Sequence, residues 1–522
     1  MYALPATDFG FIQDRLSLLD TILYGVVALG FWRLWRFTVR PLLSPNSPRE
    51  IPYWFPFVGH AIPMLRNPHA LLSSAVTYCQ GSGEPVAINV FGQKIYYILS
   101  EQDATAVLRE PPQLTHVEHL KNLLRGLGCS ERGISEMDHE SEAKAQAPPL
   151  VLVAEELMRK QLLEKSLSPA ILSRSLEVLE SHIRWEALEA PTLLHPAEDG
   201  QRRTVSLYKW AQTAIIHAVT TAYFGAAIWD LSPSLVEDLV CLENELWKLL
   251  FNLPRPCGRA VRLARTRVLR CLVDYMRLPA ASQEDQSWAV RQSLTEMRRR
   301  GLSEADMAAY LLMVLWGANA NVFKLPFWIL AHISTHPPTL HAVTAAVDTL
   351  ISQSTAAGEP LSALAVRLEQ NPLLSALYNE AQRLTMNSSS ARSVAQAVTI
   401  NDRVYAAGAH LLVPYRQLAM GHPILGREWD RFDPDRFLAH PALAQSKSFI
   451  PFGAGKHKCV GRYLSKRLSL TFAALVVRRF RVEAVLDGVP QVGFTPVSSG
   501  PGGPVRGGDV RLVVGKRDDV GL

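Results

Sequence analysis

Hydrophobic residues recur mostly at helical spacing along this chain. Residues 101–300 follow a helical pattern with a few interrupting loops, and a long apolar helix is predicted over residues 303–336. Two runs rich in β-branched and aromatic residues, 86–91 and 94–99, predict strands that meet at a turn around Gly92. The pattern therefore predicts a mostly helical protein with short strands.

The first apolar run predicts a membrane anchor. Residues 16–32 are almost all apolar, which is near the lower limit of the roughly 17–25 residues that a spanning helix needs. Arg33, Arg36 and Arg40 follow, so the positive-inside rule places the rest of the chain in the cytosol. A cleaved signal peptide fits poorly, because no small-residue cleavage site is evident. A helix lying in the membrane interface is the other alternative.

Composition narrows the possible classes of protein. The chain has 522 residues, and 48% of them are hydrophobic, which is too many for a disordered protein. The six cysteines show no paired spacing, so a disulfide framework is not expected. The net charge of +6 is spread out, and no basic tail indicates nucleic-acid binding. A basic surface suits an acidic redox partner or an anionic membrane instead.

A cysteine in a glycine-rich loop carries the strongest chemical signal. The segment Phe452-Gly-Ala-Gly455-Lys-His457-Lys-Cys459-Val-Gly461 precedes an apolar-periodic run, which predicts a loop that opens into a helix. A thiolate there would lie near the positive end of the helix dipole, which stabilises the anion. Gly455 and Gly461 would let a flat cofactor approach the backbone. Taken alone, a cysteine beside glycines is more often a buried structural residue.

This segment resembles the haem-ligand signature of the cytochrome P450 family, Phe-x-x-Gly-x-(Arg or His)-x-Cys-x-Gly. The resemblance implies a haem b cofactor, with Cys459 as the thiolate ligand of the iron and Phe452 over the sulfur. It places Gly455 and Gly461 in the cofactor-binding loop, and it implies that His457 contacts a haem propionate where most members have arginine. The fold it implies is mainly α with small β-sheets, the cytochrome P450 fold, preceded by one N-terminal transmembrane helix.

The resemblance also implies a domain organisation. Residues 1–40 would be the anchor, residues 41–60 a proline-rich hinge, and residues 61–522 the haem-thiolate catalytic domain. Prolines in the hinge cannot continue a helix and stiffen the turn. Microsomal members of the family have such a hinge, so the expected location is the endoplasmic reticulum membrane, with a single span and the catalytic domain in the cytosol.

The long apolar helix contains polar residues that need an explanation. A capping-box variant at Ser303 begins the helix, and Asn319 and Asn321 lie near its middle. An unpaired buried amide is costly, so Asn319 is as compatible with a structural hydrogen bond as with a function. A functional role is favoured for Asn321, because Gly317 and Pro326 predict a local distortion of the helix.

The same helix departs from the most common P450 pattern. Most members carry an acidic residue followed by threonine here, to deliver protons during oxygen activation, and these positions are Ala320 and Asn321 in this chain. The surrounding residues, including Gly317, resemble the branch with the sterol 7-alpha-hydroxylases and prostacyclin synthase. That branch contains oxygenases and a rearrangement enzyme, so the reaction stays open. The candidate catalytic residues are Asn321, Ala320 and Gly317.

Two charged residues one helical turn apart predict a buried brace. Glu380 and Arg383 can pair on a helix, and a lone Glu-x-x-Arg is common as a surface pair. Its spacing ahead of Cys459 matches the P450 family, in which the pair braces the core together with a downstream arginine, here Arg436. These three residues are expected to be structural.

Further contacts follow from the resemblance alone. Arg392 occupies the position of an arginine that binds a haem propionate. The family's Trp-x-x-x-Arg pair is missing, and Arg159 or Lys160 could replace its arginine. A glycine-rich hairpin tip at residues 500–505 is expected to reach into the substrate pocket.

Three functions are compatible with these features. The first is a membrane-bound haem-thiolate monooxygenase that oxidises a lipophilic substrate, such as a sterol, a terpenoid or another secondary metabolite. It would use O2 and electrons from an NADPH-dependent cytochrome P450 reductase. The second is a haem-thiolate isomerase or dehydratase that acts on a peroxide and needs no redox partner. The third is a non-catalytic haem-binding or ligand-sensing protein, which no attached signalling segment supports.

Overall fold

Helices dominate the structure. The computed structural model describes residues 8–79, 82–137, 149–196, 201–421, 428–485, 488–495, 498 and 500–517. The α-helices are α1 Asp8–Leu34, α2 Arg40–Leu43, α3 Ala61–Arg66, α4 Pro68–Tyr78, α5 Glu101–Leu108, α6 Val117–Leu127, α7 Glu131–Met137, α8 Leu150–Leu163, α9 Ser168–Ser181, α10 Leu207–Phe224, α11 Ile228–Leu231, α12 Leu235–Leu250, α13 Arg259–Met276, α14 Trp288–Arg299, α15 Glu304–Asn319, α16 Lys324–Ser334, α17 Pro337–Ala356, α18 Leu361–Gln370, α19 Pro372–Thr385, α20 Tyr415–Met420, α21 Asp435–Ala439 and α22 Arg462–Arg479.

In the described part of the chain, short strands form three small sheets. The strands are β1 Arg49–Glu50, β2 Val86–Val90, β3 Gln93–Tyr97, β4 Leu114–Thr115, β5 Leu193–Pro196, β6 Arg202–Ser206, β7 Ser389–Val394, β8 Val398–Ile400, β9 Arg403–Tyr405, β10 His410–Pro414, β11 Phe480–Ala484 and β12 Arg511–Lys516. Their orders are β1-β2-β3-β10-β7-β4, β11-β12-β6-β5 and β8-β9. The predicted fold class, mainly α with small sheets, is confirmed.

The N-terminal helices are long and apolar enough to cross a membrane. The segment Asp20–Leu43 meets the length and hydropathy criteria for a span, and none of its most apolar window is buried. It begins within α1, continues through a π-helical turn at Trp35–Val39 and ends with α2. The segment Glu304–Ser334 meets the same criteria but is 61% buried, as expected of a core helix. The N-terminal segment is thus a candidate span by length and composition.

The chain divides into two compact units. The first unit is Met1–Thr115 with Ala391–Val413, and it contains the predicted hairpin of β2 and β3. The hairpin turns at Gly92, whose φ of +83° strongly favours glycine. Strand β3 then pairs in parallel with β10, and the apolar side chains of β2 pack on α4 in a small separate core.

The second unit, His116–Ser390 with Pro414–Leu522, holds the main core. Helices α10, α15, α16, α19 and α22 are largely buried in it, and their apolar residues belong to one continuous cluster. The sheet β11-β12-β6-β5 belongs to the same unit. All but one of the predicted site residues lie in this unit, and the exception is Arg392.

The long apolar helix is interrupted once. Helix α15 starts as predicted, because the Ser303 side chain accepts a hydrogen bond from the amide of Asp306 at 3.1 Å. It ends at Asn319, and α16 begins at Lys324 after a turn. Pro326 has no N–H to donate to the preceding turn, so the helix cannot continue unbroken through this point. The predicted distortion is therefore present as a complete break.

Candidate functional site

Backbone geometry fixes the position of Cys459. Helix α22 begins at Arg462, and Cys459 lies just before its N-cap, Gly461. The Cys459 amide donates to the carbonyl of Phe452 at 2.9 Å, which closes the loop into a tight bend. Gly455 within the bend has a φ of +70°, a value that side chains rarely allow. The loop therefore opens into a helix, as the sequence predicted.

Burial and neighbouring amide groups act in opposite directions on the pKa of the Cys459 thiol. Burial by surrounding protein raises the pKa of the Cys459 thiol, and hydrogen bonds from the Gly461 and Arg462 amides partly oppose this rise, as does the Arg462 charge. The residue nevertheless keeps exposed surface. A Cβ added at Gly461 would lie 3.8 Å from the sulfur. Glycine thus keeps this side of the thiol clear.

The His457 imidazole has a carboxylate partner. Its Nδ1 lies 3.5 Å from Oε1 of Glu155 on α8, and its ring lies 4.1 Å from the ring of His116. The hydrogen bond from His457 lowers the pKa of Glu155, and burial opposes the change. The predicted propionate contact of His457 stays a prediction. Glu155 was not predicted from the sequence. It lies on α8, the same helix as Arg159 and Lys160, which were suggested as replacements for the missing arginine.

Arg159 and Lys160, the two suggested replacements, lie on an exposed face of α8. Both pair with Glu156, at 2.6 Å and 3.8 Å respectively. Their side chains are 51% and 41% exposed. This surface pairing gives no support to a role for either residue in cofactor binding.

Asn319 has a structural hydrogen-bonding role. Its Nδ2 donates to Thr220 Oγ1 at 3.0 Å and to the Leu315 carbonyl at 2.9 Å. The residue is only 2% exposed. Asn319 and the buried Ala320 line a small apolar space together with Trp316, and Asn319 ties α15 to α10. Of the two alternatives for Asn319, the structure supports the structural one.

Asn321 lies in the turn that separates α15 from α16. Its Oδ1 is 3.4 Å from Nζ of Lys324, which also pairs with the buried carboxylate of Glu243. The glycine-rich segment passes directly beside it, since a Cβ on Gly500 would lie 2.3 Å from Asn321 Cγ. A Cβ on Gly317, one turn earlier, would meet no atom within 4 Å. The sequence analysis missed both Lys324 and Glu243.

The predicted brace is assembled in the core. Arg383 donates two hydrogen bonds of 2.7 Å to the two oxygens of Glu380, and the two side chains are 2% and 0% exposed. Nε of Arg436 lies 3.6 Å from Glu380 Oε1, and the Asp433 amide donates to the same oxygen at 2.9 Å. Arg383 also donates to the carbonyl of Trp429. The geometry brings the three predicted residues together, and their structural role stays a prediction.

Arg392, in the first unit, has a partner that the sequence analysis did not identify. Its guanidinium pairs with Glu110 at 2.8 Å, and the two side chains are 6% and 16% exposed. It also donates to the carbonyl of Ala391 at 2.8 Å. The Glu110 carboxylate already pairs with the Arg392 guanidinium, which was predicted to bind a haem propionate. The propionate contact of Arg392 therefore stays a prediction.

Comparison with known proteins decides the family. The family model for cytochrome P450 matches residues 50–498, which is most of the chain. The chain belongs to the cytochrome P450 family. A solved structure, the retinoic acid-bound cyanobacterial CYP120A1, has the same fold, with a TM-score of 0.67 and 15% identity, and the match covers 90% of this chain and 100% of that one.

Curated proteins with similar sequences include a fungal monooxygenase and a mammalian synthase. The cytochrome P450 monooxygenase efuG of Hormonema carpetanum is 22% identical, over 86% of this chain and 86% of its own. Prostacyclin synthase of Rattus norvegicus is 27% identical, over 40% of this chain and 44% of its own. The predicted enzyme class, a cytochrome P450 monooxygenase, is confirmed by the names of such relatives.

P450 enzymes contain a haem whose iron has a cysteine ligand, so the predicted cofactor is confirmed. The residues of the Cys459 loop fit this group. The residue keeps exposed surface, two amides stabilise its anion, and Gly461 adds no side chain beside the sulfur. A bound metal ion removes the proton of a coordinating thiol, which overcomes the raised pKa.

Proposed function

We propose that this P450 is a membrane-bound monooxygenase that oxidises a lipophilic substrate with O2 and electrons from an NADPH-dependent cytochrome P450 reductase. The single observation that carries the proposal is the Cys459 loop, in which amide groups stabilise the thiolate and the residue keeps exposed surface. A haem bound there supplies the oxygen chemistry, and the protein supplies ligation, orientation and exclusion of water. The relatives named as monooxygenases support the same class.

The residue roles follow from position and chemistry. Cys459 is the axial ligand, and Phe452, Gly455 and Gly461 shape its loop. Asn321 is the polar group in the turn between α15 and α16, which we call the distal segment. It orients a substrate or a water molecule. In this proposal Ala320 and Gly317 leave room beside it, since neither carries a large side chain.

The remaining proposed residues support the cofactor from further away. His457 and Arg392 are proposed to act near the propionates, each while paired with a carboxylate. Glu380, Arg383 and Arg436 form the buried brace, and they take no part in the chemistry.

A membrane location is supported by the chain around α1. Arg33 donates to the carbonyl of Tyr53 at 2.6 Å, and Arg36 pairs with Glu50 at 2.8 Å, so basic residues tie the helix to the following hinge. Exposed apolar side chains cluster in sequence just beyond the helix, namely Leu42, Leu43, Trp54, Phe55 and Phe57. We propose a single span in the endoplasmic reticulum membrane, with the catalytic domain in the cytosol. Lipophilic substrates such as sterols, terpenoids or other secondary metabolites concentrate there.

A second candidate is a haem-thiolate isomerase or dehydratase that acts on a peroxide. The observation that favours it is the pair Ala320 and Asn321, which replaces an acid and an alcohol. The similarity to prostacyclin synthase over 40% of the chain points the same way. Such an enzyme needs neither O2 nor a reductase.

Dependence on a reductase separates the two candidates. The precursor that accumulates in a host lacking the gene is isolated and incubated with the purified enzyme. The incubation is repeated with and without NADPH and an NADPH-dependent cytochrome P450 reductase. We expect conversion only when both are present. Equal conversion without them would exclude the monooxygenase and support the second candidate.

A further inference from the structure

Two exposed phenylalanines meet at the hairpin turn of the first unit. The side chains of Phe57 and Phe91 are 68% and 54% exposed, and their ring centroids lie 6.3 Å apart. Phe91 lies in the turn between β2 and β3, and its amide donates to the carbonyl of Val58 at 3.4 Å. The amide of His60 donates to the carbonyl of Asn89 at 2.6 Å. The backbone contacts between the two segments thus bring two apolar rings together on the surface.

The backbone at both phenylalanines is strained. Phe57 has a φ of +68° and Phe91 a φ of +51°, in a region that bulky side chains rarely occupy. Glycine or asparagine adopts such a conformation with less strain. Each ring also stays more than half exposed, so neither contributes a buried side chain to the core. Folding of the unit therefore does not explain why a large apolar residue occupies both positions, whereas contact with a surface outside the chain does.

Exposed aromatic residues are concentrated in the first unit. Within the described part of the chain, both exposed tryptophans, Trp35 and Trp54, lie in this unit, and so do four of the five exposed phenylalanines. Clustered exposed apolar side chains mark interaction sites. Tryptophan is enriched where a bilayer meets water. The distribution therefore points to lipid as the surface that covers these residues.

The candidate span contacts the same segment. The guanidinium of Arg33, at the end of α1, lies 4.2 Å from the ring centroid of Trp54, and it donates to the carbonyl of Tyr53 at 2.6 Å. The ring of Trp32 packs on the ring of Tyr53, with 5.5 Å between their centroids. Basic residues at the end of a span lie at the membrane surface. Trp54 therefore lies at this level whenever the span is inserted.

Phe57 lies close to the same level. It is the third residue after Trp54, which limits the distance between their Cα atoms to about 11 Å. The interfacial layer on each side of a bilayer is itself roughly 5–8 Å deep. The segment before Trp54 is held to the sheet, because β1 pairs in parallel with β2, with Arg49 opposite Val86. This geometry favours lipid over a second copy of the chain as the occupant of the surface.

We propose that Trp54, Phe57 and Phe91 form an aromatic cluster that enters the interfacial layer of the bilayer and makes a second membrane contact beside the span. Two contacts hold the first unit against the membrane, whereas a span followed by a free hinge would let the unit move away from it. The inference rests on the proposed membrane location, because the cluster reaches lipid only when the span is inserted.

Photo-crosslinking of the full-length protein tests this contact. The photoreactive residue p-benzoylphenylalanine replaces Phe57, Phe91, Leu23 or Tyr463, one position at a time. Leu23 lies in the span and is 58% exposed, and Tyr463 on α22 is 45% exposed and serves as the matched control outside the first unit. Haem-loaded protein is reconstituted into phosphatidylcholine vesicles and irradiated. Mass spectrometry of the peptides then identifies what is attached at each position.

We expect phosphatidylcholine adducts at Phe57, Phe91 and Leu23, and none at Tyr463. If Leu23 alone carries lipid, the aromatic cluster makes no membrane contact, and the proposal fails while the span stands. A link from Phe57 or Phe91 to a second copy of the chain also overturns the proposal, because the surface is then a dimer interface. Equal labelling at Tyr463 overturns it as well, since the cluster is then no more exposed to lipid than the rest of the surface.

The result at Leu23 separates this proposal from the proposed function. If Leu23 carries no lipid, the proposed membrane location fails, and the second contact fails with it.

The double variant F57N/F91N distinguishes a contact surface from a structural pair. Asparagine tolerates a positive φ, so we expect the melting temperature in detergent to equal or exceed that of the wild type. A lower melting temperature would show that the two rings stabilise the fold themselves. That result would remove the reason for an outside surface and overturn the proposal.

Discussion

The Cys459 loop and the break between α15 and α16 position polar groups in different ways. The loop relies on its own backbone, because its hydrogen bond from Cys459 to Phe452 spans seven residues and its glycine supplies the required positive φ. The helix break relies on distant partners, since Glu243 precedes Lys324 by 81 residues and Gly500 follows Asn321 by far more. The geometry of a single loop can be predicted from its sequence motif. A geometry that depends on distant partners becomes visible only in the folded structure.

The largest effect should come from the loop. Replacing Cys459 with serine removes the sulfur that supplies the thiolate, while the shape of the loop is nearly unchanged. We expect complete loss of the thiolate-type spectrum of the reduced carbon monoxide complex. An unchanged spectrum would reject Cys459 as the ligand.

The buried brace should give the next largest effect. Glu380→Gln leaves Arg383 buried without a full counter-charge, which typically costs about 3–5 kcal/mol of unfolding free energy. Thermal unfolding and the yield of haem-loaded protein provide the measurement. Arg431→Gln is the matched control, because its pair with Glu428 is 69% and 65% exposed and should be worth about 1 kcal/mol or less. Equal losses in the two variants would contradict a buried brace.

The distal segment should show a smaller and different effect. Asn321→Ala removes one polar contact, so product formation should fall about tenfold, equivalent to roughly 1.4 kcal/mol. Haem content and the thiolate-type absorption of the reduced carbon monoxide complex should stay at wild-type levels. Loss of haem in this variant would mean that Asn321 is structural, and the contrast between the two regions would disappear.

A histidine on α16 packs against the segment that contains Arg436 of the brace. His332 stacks on Phe432, with the ring centroids 3.8 Å apart and the planes within 6°. Burial lowers the pKa of His332 to about 3. The unfolded chain binds a proton near its ordinary pKa, so native stability falls as the pH drops below about 6.5 toward 3.

His332→Phe should remove this acid sensitivity. Because the ring keeps some open surface, we expect the variant to lose about 1–2 kcal/mol less than the wild type between pH 6.5 and 4.5. Melting temperatures across that range provide the measurement. Parallel curves for the two proteins would show that His332 binds a proton equally readily in the native and the unfolded state.

These contrasts explain how much the sequence could predict. The fold class, the loop before α22, the cap at Ser303 and the pairing of Glu380 with Arg383 depend on residues close in sequence, and their motifs identified them. The partners of Arg392 and His457 could not be predicted, because Glu110 and Glu155 lie hundreds of residues earlier in the chain. A basic residue can bind either a haem propionate or a carboxylate of the protein. The motif alone therefore could not indicate that Glu110 and Glu155 are partners.

The most direct test of the central claim, that this P450 inserts oxygen into its substrate, is isotope labelling. The host is grown under oxygen-18 gas with and without the gene, and the masses of its lipophilic metabolites are compared. The account predicts that the product missing from the deletion host carries one heavy oxygen that the accumulated precursor lacks. A product that is isomeric with its precursor, or lighter by water and unlabelled in this step, would contradict it and assign Asn321 to a rearrangement pocket.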